Sequence, residues 1–332
     1  MGHAFEEVAC TEKNQSLWNR CTVREEKLYN KKNDVRSPFA RDYTRILHSY
    51  SYRRLKHKTQ VFFDINNEHV CTRMEHVSHV DSVSSTIAKE LGLNIELTKA
   101  ISIGHDLGHA PFGHQGETIL NELSTEYVGE RFWHERNGLR FVDLLELLVD
   151  PYDEYRNLNL TYAVRDGIIS HCGEVDVNGL KPRQDYIDLE KEFKEPGQFS
   201  PITWEGCVVK ISDKIAYINH DIDDAIRGGI LKEEEIPKSC TDVLGGRTRD
   251  RLNTIIHDVI LHSEGTGNII CSPEIRQAMT ELRSFLFDTV YTNPVAKGEE
   301  GKAKRMLQEL FHYYMSRPEA MTEEFVQMIE NG

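Results

Sequence analysis

Along this 332-residue chain the apolar positions recur mostly at helical spacing. Met74, Val77, Val80, Ile87 and Leu91 are separated by three, four or sums of these, which sets them on one helical face closed by Gly92 as a C-cap. Asn94 is placed to cap a second helix, whose positions Leu97, Ala100, Ile101 and Ile103 run into His105 and Asp106. Gly108 and the Pro111-Phe112-Gly113 turn break it. A leucine-rich helix is expected over 138–149, stopping before Pro151. Ile211, Ile215, Ile218, Ile222 and Ile226 form another stripe, closed by Gly228 and Gly229.

Helical periods continue over 249–287 and 299–315, while 178–201 is charged, punctuated by Pro and Gly, and reads as a loop. Strand signals occur only at 60–63 and 207–209, and no repeat of 20 to 50 residues is present. The pattern predicts an all-α fold, mainly helices with at most short strands. Residues 1–36 are polar and weakly periodic and are expected as an arm or peripheral helix. A core over 37–230 follows, and then a C-terminal helical extension over 231–332 packed on that core.

Composition adds constraints. No apolar run approaches the roughly 18 residues of a membrane span, and residues 1–10 lack an apolar signal core. The seven cysteines are scattered without a C-x-x-C, so a reduced cytoplasmic protein is expected and a cysteine-based zinc site is not indicated. A net charge of −14 argues against a general nucleic-acid coat protein. Against that acidity, residues 41–58 carry Arg41, Arg45, Arg53, Arg54, Lys56 and Lys58 with Asp42 as the single acid. Such a segment is either a solvated helix face or a well for a polyphosphate, whose oxygens suit the forked donors of Arg.

Histidine carries the sharpest signal. Nine of fifteen fall between residues 48 and 134, and imidazole serves both metal ligation and proton transfer near neutrality. His-Asp dipeptides occur at 105–106, 220–221 and 257–258, but only the first opens a dense polar cluster on an apolar helix, HDLGHAPFGHQGE over 105–117. Adjacent helical residues diverge by about 100°, so an ion shared by His105 and Asp106 needs ligands from other helices. His76 and Asp213 are natural donors, although spacing alone does not link them. A shell of imidazole and carboxylate suits Mn, Fe, Zn or Mg, with open positions for water and phosphate. His114 and Glu117, three apart, share a face if a helix begins near Gly113. His109, four beyond His105, can point into the same pocket, and His134 can help from a neighbouring helix. The helix at 210–227 would bury its Ile stripe and present Asp213, Tyr217 and Asp224 at offsets of four and seven on another side.

The order His76, His105-Asp106, Asp213 is similar to the metal signature of HD-domain phosphohydrolases. Four blocks narrow this further: 37–62, TRMEHV over 72–77, HDLGHAPFGHQGE over 105–117, and SDKIAYINHDIDDAI over 212–226. Together they resemble the deoxyguanosine triphosphate triphosphohydrolase family over about residues 37–315. Ala110 stands where many relatives carry another residue. The resemblance implies an HD helical core and a triphosphoric monoester hydrolase that splits a dNTP into deoxynucleoside and intact triphosphate. One divalent ion (Mn2+, Mg2+ or Fe2+) would be held by His76, His105, Asp106 and Asp213. His114 would act as acid or base with Glu117 orienting it, and His109 and His134 would assist. Arg73 and Lys214, with Arg45 and Arg54 from the basic segment, would grip phosphate; Gln60 would read the 3′-hydroxyl and Tyr217 would exclude a 2′-hydroxyl. It further implies a homo-oligomer and a second nucleotide as allosteric effector. Other readings are another HD nucleotidase or phosphodiesterase, or a nucleotide-sensing HD protein.

Overall fold

The computed structural model describes residues 4–27, 34–58, 71–173, 177–293 and 300–331. Two long helices organise it. Helix α4 (Arg73–Leu91) starts at a reciprocal capping box: Thr72 Oγ1 accepts from Glu75 N, and the Glu75 carboxylate accepts from Thr72 N. It ends, as its sequence requires, at Gly92 with φ 80°. Helix α5 (Ile95–Gly104) follows at once, with Asn94 Oδ1 accepting from Glu96 N and Leu97 N. Helix α10 (Trp204–Arg227) is capped by the Thr203 hydroxyl on Gly206 N.

Both α4 and α10 are wedged between two apolar cores, which fixes their axial rotation. Val77 and Val80 of α4 and Val209 and Ala216 of α10 join a cluster with α2 (Pro38–His48), α5 and α8 (Tyr162–Ser170) through Phe39, Ile46, Ile101 and Ile168. Val83, Ile87 and Leu91, with the Ile stripe of α10, face a second cluster. There they meet Cys240 of α11 (Lys238–Leu244), Ile255 and Val259 of α12 (Thr248–Thr266), and Leu282 and Leu286 of α13 (Pro273–Leu286). A satellite cluster joins Ile119 and Leu123 of α6 (Gly113–Tyr127) to Leu307 of α14 (Glu300–Ser316). Helices α1 (Gln15–Cys21), α3 (Tyr50–Arg54), α7 (His134–Arg140), α9 (Leu189–Glu192) and α15 (Glu323–Asn331) complete the α-helices among the described residues.

The N-terminal segment is tied down rather than loose: Phe5 N donates to Leu91 O, its ring meets Trp204 edge-on, and Cys10 N donates to the buried Glu205. Among the described residues the one sheet is a two-stranded antiparallel ribbon, β1 (Leu148–Val149) with β2 (Tyr155–Arg156). Among the described residues no helix is long and apolar enough to cross a membrane, and the cysteines are free thiols.

Two local expectations need correcting. Residues 207–209 are not a strand but the first turns of α10, buried on every side; a short, wholly apolar run carries no period to separate strand from buried helix. The helix expected over 138–149 begins earlier, at His134, and ends at Arg140. A π turn over Phe141–Leu145 then swings Asp143 inward against the buried Arg165 (Nε–Oδ1 2.7 Å), and the chain continues into β1. The strand signal at 60–63 lies outside the described residues.

Candidate metal centre

Three helical segments bring the sequence-predicted ligands together. His76 sits on the first turn of α4, His105 and Asp106 on the turn that leaves α5, and Asp213 midway along α10. His76 Nε2 lies 2.9 Å from Asp213 Oδ1. His105 Nε2 lies 3.7 Å from both Asp106 Oδ1 and Asp213 Oδ1. Metal–ligand bonds of about 2.1 Å bring neighbouring donor atoms to roughly 3 to 3.5 Å of one another, so this shell needs only small shifts to close on one ion.

The tautomer of His105 supports that reading. Its Nδ1 donates to Ser102 O at 2.6 Å, which leaves a lone pair on Nε2. That Nε2 is buried and has no hydrogen-bond partner. A buried acceptor left unmade costs about 1–3 kcal/mol, and a cation between it and the two carboxylates would satisfy it. Both carboxylates are anions. Burial alone would raise Asp106, but the cationic surroundings, with the Arg73 guanidinium bonded to it, outweigh burial and hold the acid well below the usual carboxylate range. Burial is likewise overcome at Asp213 by the His76 imidazole.

Cations surround the outer side of this centre. Arg73, itself buried, donates Nη1 to Asp106 Oδ2 at 3.0 Å. Lys58 donates Nζ to His109 O, and burial together with nearby Arg73 pulls its pKa down to about 8. Lys58 was visible in the sequence only as one charge of a basic run. The other basic candidates divide: Arg45 binds the carbonyls of Leu158 (2.6 Å) and Asn157 (3.0 Å) and so braces the fold, whereas Arg54 lies over the Phe141 ring near Glu146. Lys214 and Tyr217 are half-buried on α10, with Tyr217 packed on the second core. Gln60 falls outside the described residues.

A chain of imidazoles runs on from the centre. His109 Nδ1 is 3.5 Å from Asp106 Oδ1, and its ring meets His134 edge-on at 3.8 Å. Burial, reinforced by Arg73, keeps His109 neutral. His134 is the opposite case. Burial disfavours its charge, yet Cys172, Glu135 and Glu117 together hold its pKa well above the ordinary value. The Glu117 carboxylate accepts from His134 N at 2.9 Å and stands 3.1 Å from His134 Nδ1. Its distance to His114 Nδ1 is 4.0 Å, and His114 is almost fully exposed at the mouth. Glu117 therefore lies between the two imidazoles and is bonded to the inner one, a pairing that helical spacing does not reveal. His171, whose ring lies 5.0 Å from His105 and 5.4 Å from His134, is a further member missed from sequence. It lies outside the histidine-dense segment, and only the fold brings α8 against this site.

Gly108 makes the convergence possible. A Cβ there would stand 2.0 Å from His134 O and 2.1 Å from Gly138 N, so α7 packs its backbone directly on the His-Asp turn. Asn137 Nδ2 locks the contact by donating to Gly108 O at 2.8 Å. Gly108→Ala should cost about 3 kcal/mol or more by overpacking and displace His134 from His109. Thermal unfolding and metal content checked together would show this; an unchanged melting temperature with full activity would contradict it.

Residues 73–218 match the HD domain family and residues 269–332 match the phosphohydrolase-associated domain. The chain thus has the helical core of an HD-domain phosphohydrolase, with a candidate His/Asp metal centre. A deoxyguanosinetriphosphate triphosphohydrolase-like protein of Caldanaerobacter subterraneus subsp. tengcongensis is 43% identical over 95% of this chain and 82% of its own length. Similarly named proteins of Desulfatibacillum aliphaticivorans (42% identical; 86% of this chain, 76% of theirs) and Ralstonia pickettii (32%; 87% and 80%) also match. The chain belongs to the deoxyguanosinetriphosphate triphosphohydrolase-like family.

Proposed function

We propose that the protein is a metal-dependent triphosphohydrolase that cleaves dGTP, or dNTPs more widely, into deoxynucleoside and intact triphosphate. Water would attack the α-phosphorus, and the 5′-oxygen would leave with a proton. The observation that carries this reading is the clustering of His76, His105 and Asp213 donors, with Asp106 Oδ1 3.7 Å from the unpartnered Nε2 of His105. A divalent ion (Mn2+, Mg2+ or Fe2+) held there would supply Lewis-acid polarisation of the phosphoryl group.

The chain's own residues do the rest. Arg73 and Lys58, with Lys214 and Arg54 at the rim, neutralise the triphosphate, which otherwise repels a nucleophile. His114 at the mouth delivers the proton to the leaving 5′-oxygen. Glu117 orients it, and His134 behind Glu117 holds that carboxylate in place. His109, neutral and pressed edge-on against His134, fixes that pair of rings beside Asp106. Gln60 takes the 3′-hydroxyl, and Tyr217 occupies the space that a 2′-hydroxyl would need. The resemblance extends the reading to a cytoplasmic homo-oligomer in which a second nucleotide acts as effector.

Incubation with Mn2+ and dGTP should release deoxyguanosine and tripolyphosphate; dGMP with pyrophosphate would overturn the cleavage site. Opening the sugar pocket tests Tyr217 separately. Tyr217→Ala should raise the kcat/KM for GTP relative to dGTP by roughly tenfold or more, the range that one steric group in a pocket commands. An unchanged ratio, measured with both nucleotides in competition, would remove Tyr217 from sugar selection.

A further inference from the structure

The two helices that meet at His76 and Asp213 meet a second time further along. His79, one turn beyond His76 on α4, places Nδ1 2.7 Å from Nε2 of His220, two turns beyond Asp213 on α10. The rings stack at 4.1 Å. Cys71, just before α4, brings its sulfur to the same point: Cys71 Sγ and one nitrogen from each histidine all lie within 4.8 Å of one another. Cys71 is held there because both oxygens of Asp224 accept from its backbone N, at 3.0 and 3.1 Å. The three donors face a cavity of about 310 Å³, whose walls also include Glu75, Asp223 and Arg227. Cys71 and His220 are buried, while His79 is exposed on the open side.

We propose that Cys71, His79 and His220 form a second metal site, selective for Zn2+ or a similar thiolate-seeking transition ion. One sulfur and two imidazoles suit such an ion far better than Mg2+ or Mn2+, whereas the centre at His105 offers no sulfur. Three protein donors beside an open cavity leave a fourth position for water. On binding, the Cys71 thiol gives its proton to solvent and becomes the ligand. The proton shared between the two facing nitrogens moves to the opposite nitrogen of whichever ring carries it, so both lone pairs turn to the ion. The His220 ring stands 6.0 Å from His76, so an ion here would clamp α4 to α10 directly beside the catalytic ligands. The sequence hides this site because its donors come from separate segments, and the absence of C-x-x-C speaks only to local pairs.

Co2+ provides a readout independent of turnover. Added to the full chain, it should produce a near-ultraviolet thiolate-to-cobalt absorption, and Zn2+ should be retained at one equivalent beyond the catalytic ion. Cys71→Ser should lose both the band and that equivalent, Cys172→Ser should keep them, and Zn2+ added to protein whose His105 centre is already saturated with Mn2+ should raise the melting temperature of the parent but not of Cys71→Ser. His79→Gln, at an exposed position that tolerates change, should weaken the band even if Cys71→Ser folds poorly. A band that survives Cys71→Ser, or none at saturating Co2+, would overturn the site. Because the catalytic ligands contain no sulfur, a chain that shows the band but releases no triphosphate would retain this site and reject the hydrolytic reading.

Discussion

Asp106→Asn should abolish nucleotide hydrolysis, lowering kcat about 10³-fold or more, with loss of the ion at the His105 centre. A bound cation contributes several kcal/mol of charge stabilisation at a reacting phosphoryl group, and each 1.36 kcal/mol is a factor of about ten in rate. The substitution keeps shape and removes charge at a residue that the fold keeps ionised despite complete burial. It also strips Arg73 of its carboxylate partner at 3.0 Å. Breaking a buried pair on one side costs about 3–5 kcal/mol, so stability should fall together with activity. His105→Gln separates the two effects. It removes the unpartnered Nε2 while leaving the Arg73–Asp106 pair intact, so metal content and rate should collapse with a smaller change in melting temperature. Elemental analysis beside the rate assay is decisive: an Asp106→Asn protein that turned over dGTP normally would end the assignment of this centre.

How much of this could be read from sequence depended on whether the signal was local. The α4 and α5 helices were legible because their apolar period and their caps, Gly92 and Asn94, agree with each other. The Ile stripe of α10 was equally clear, but its first turns were not, because Cys207, Val208 and Val209 are buried on every side and show no alternation. At the site, His105 and Asp106 announced themselves by density, whereas His76 and Asp213, 137 positions apart, needed resemblance to be linked to them. What escaped was set by packing between distant segments. Lys58 reaches His109 O, and His171 arrives on α8. Glu117 bonds to His134 because Gly108 lets the α7 backbone close on the His-Asp turn. None of these contacts leaves a period or a spacing in the chain.

Glu117→Gln should lower kcat by about 10²- to 10³-fold with little change in KM, within the range of a disabled proton-transfer group. The amide fills the same space but cannot hold the His134 imidazolium, which burial alone would discharge. The His134 pKa should fall in the variant, and so should that of His114, which Glu117 also raises, so the alkaline limb of kcat, set by His114 as the proton donor, moves to lower pH. Stability follows the same pair with opposite signs at the two partners. Burial opposes the Glu117 charge, but its bonds to His134 hold its folded pKa below the unfolded value. Its contribution is therefore present above about pH 4.3 and lost as pH falls through the folded value. His134 has a raised folded pKa, so its contribution is complete below about pH 6.5 and lost as pH rises through the folded value. Parent and variant should differ most in melting temperature between these limits and converge outside them. An equal gap at every pH, or a kcat profile that does not move, would show that Glu117 serves packing rather than proton transfer.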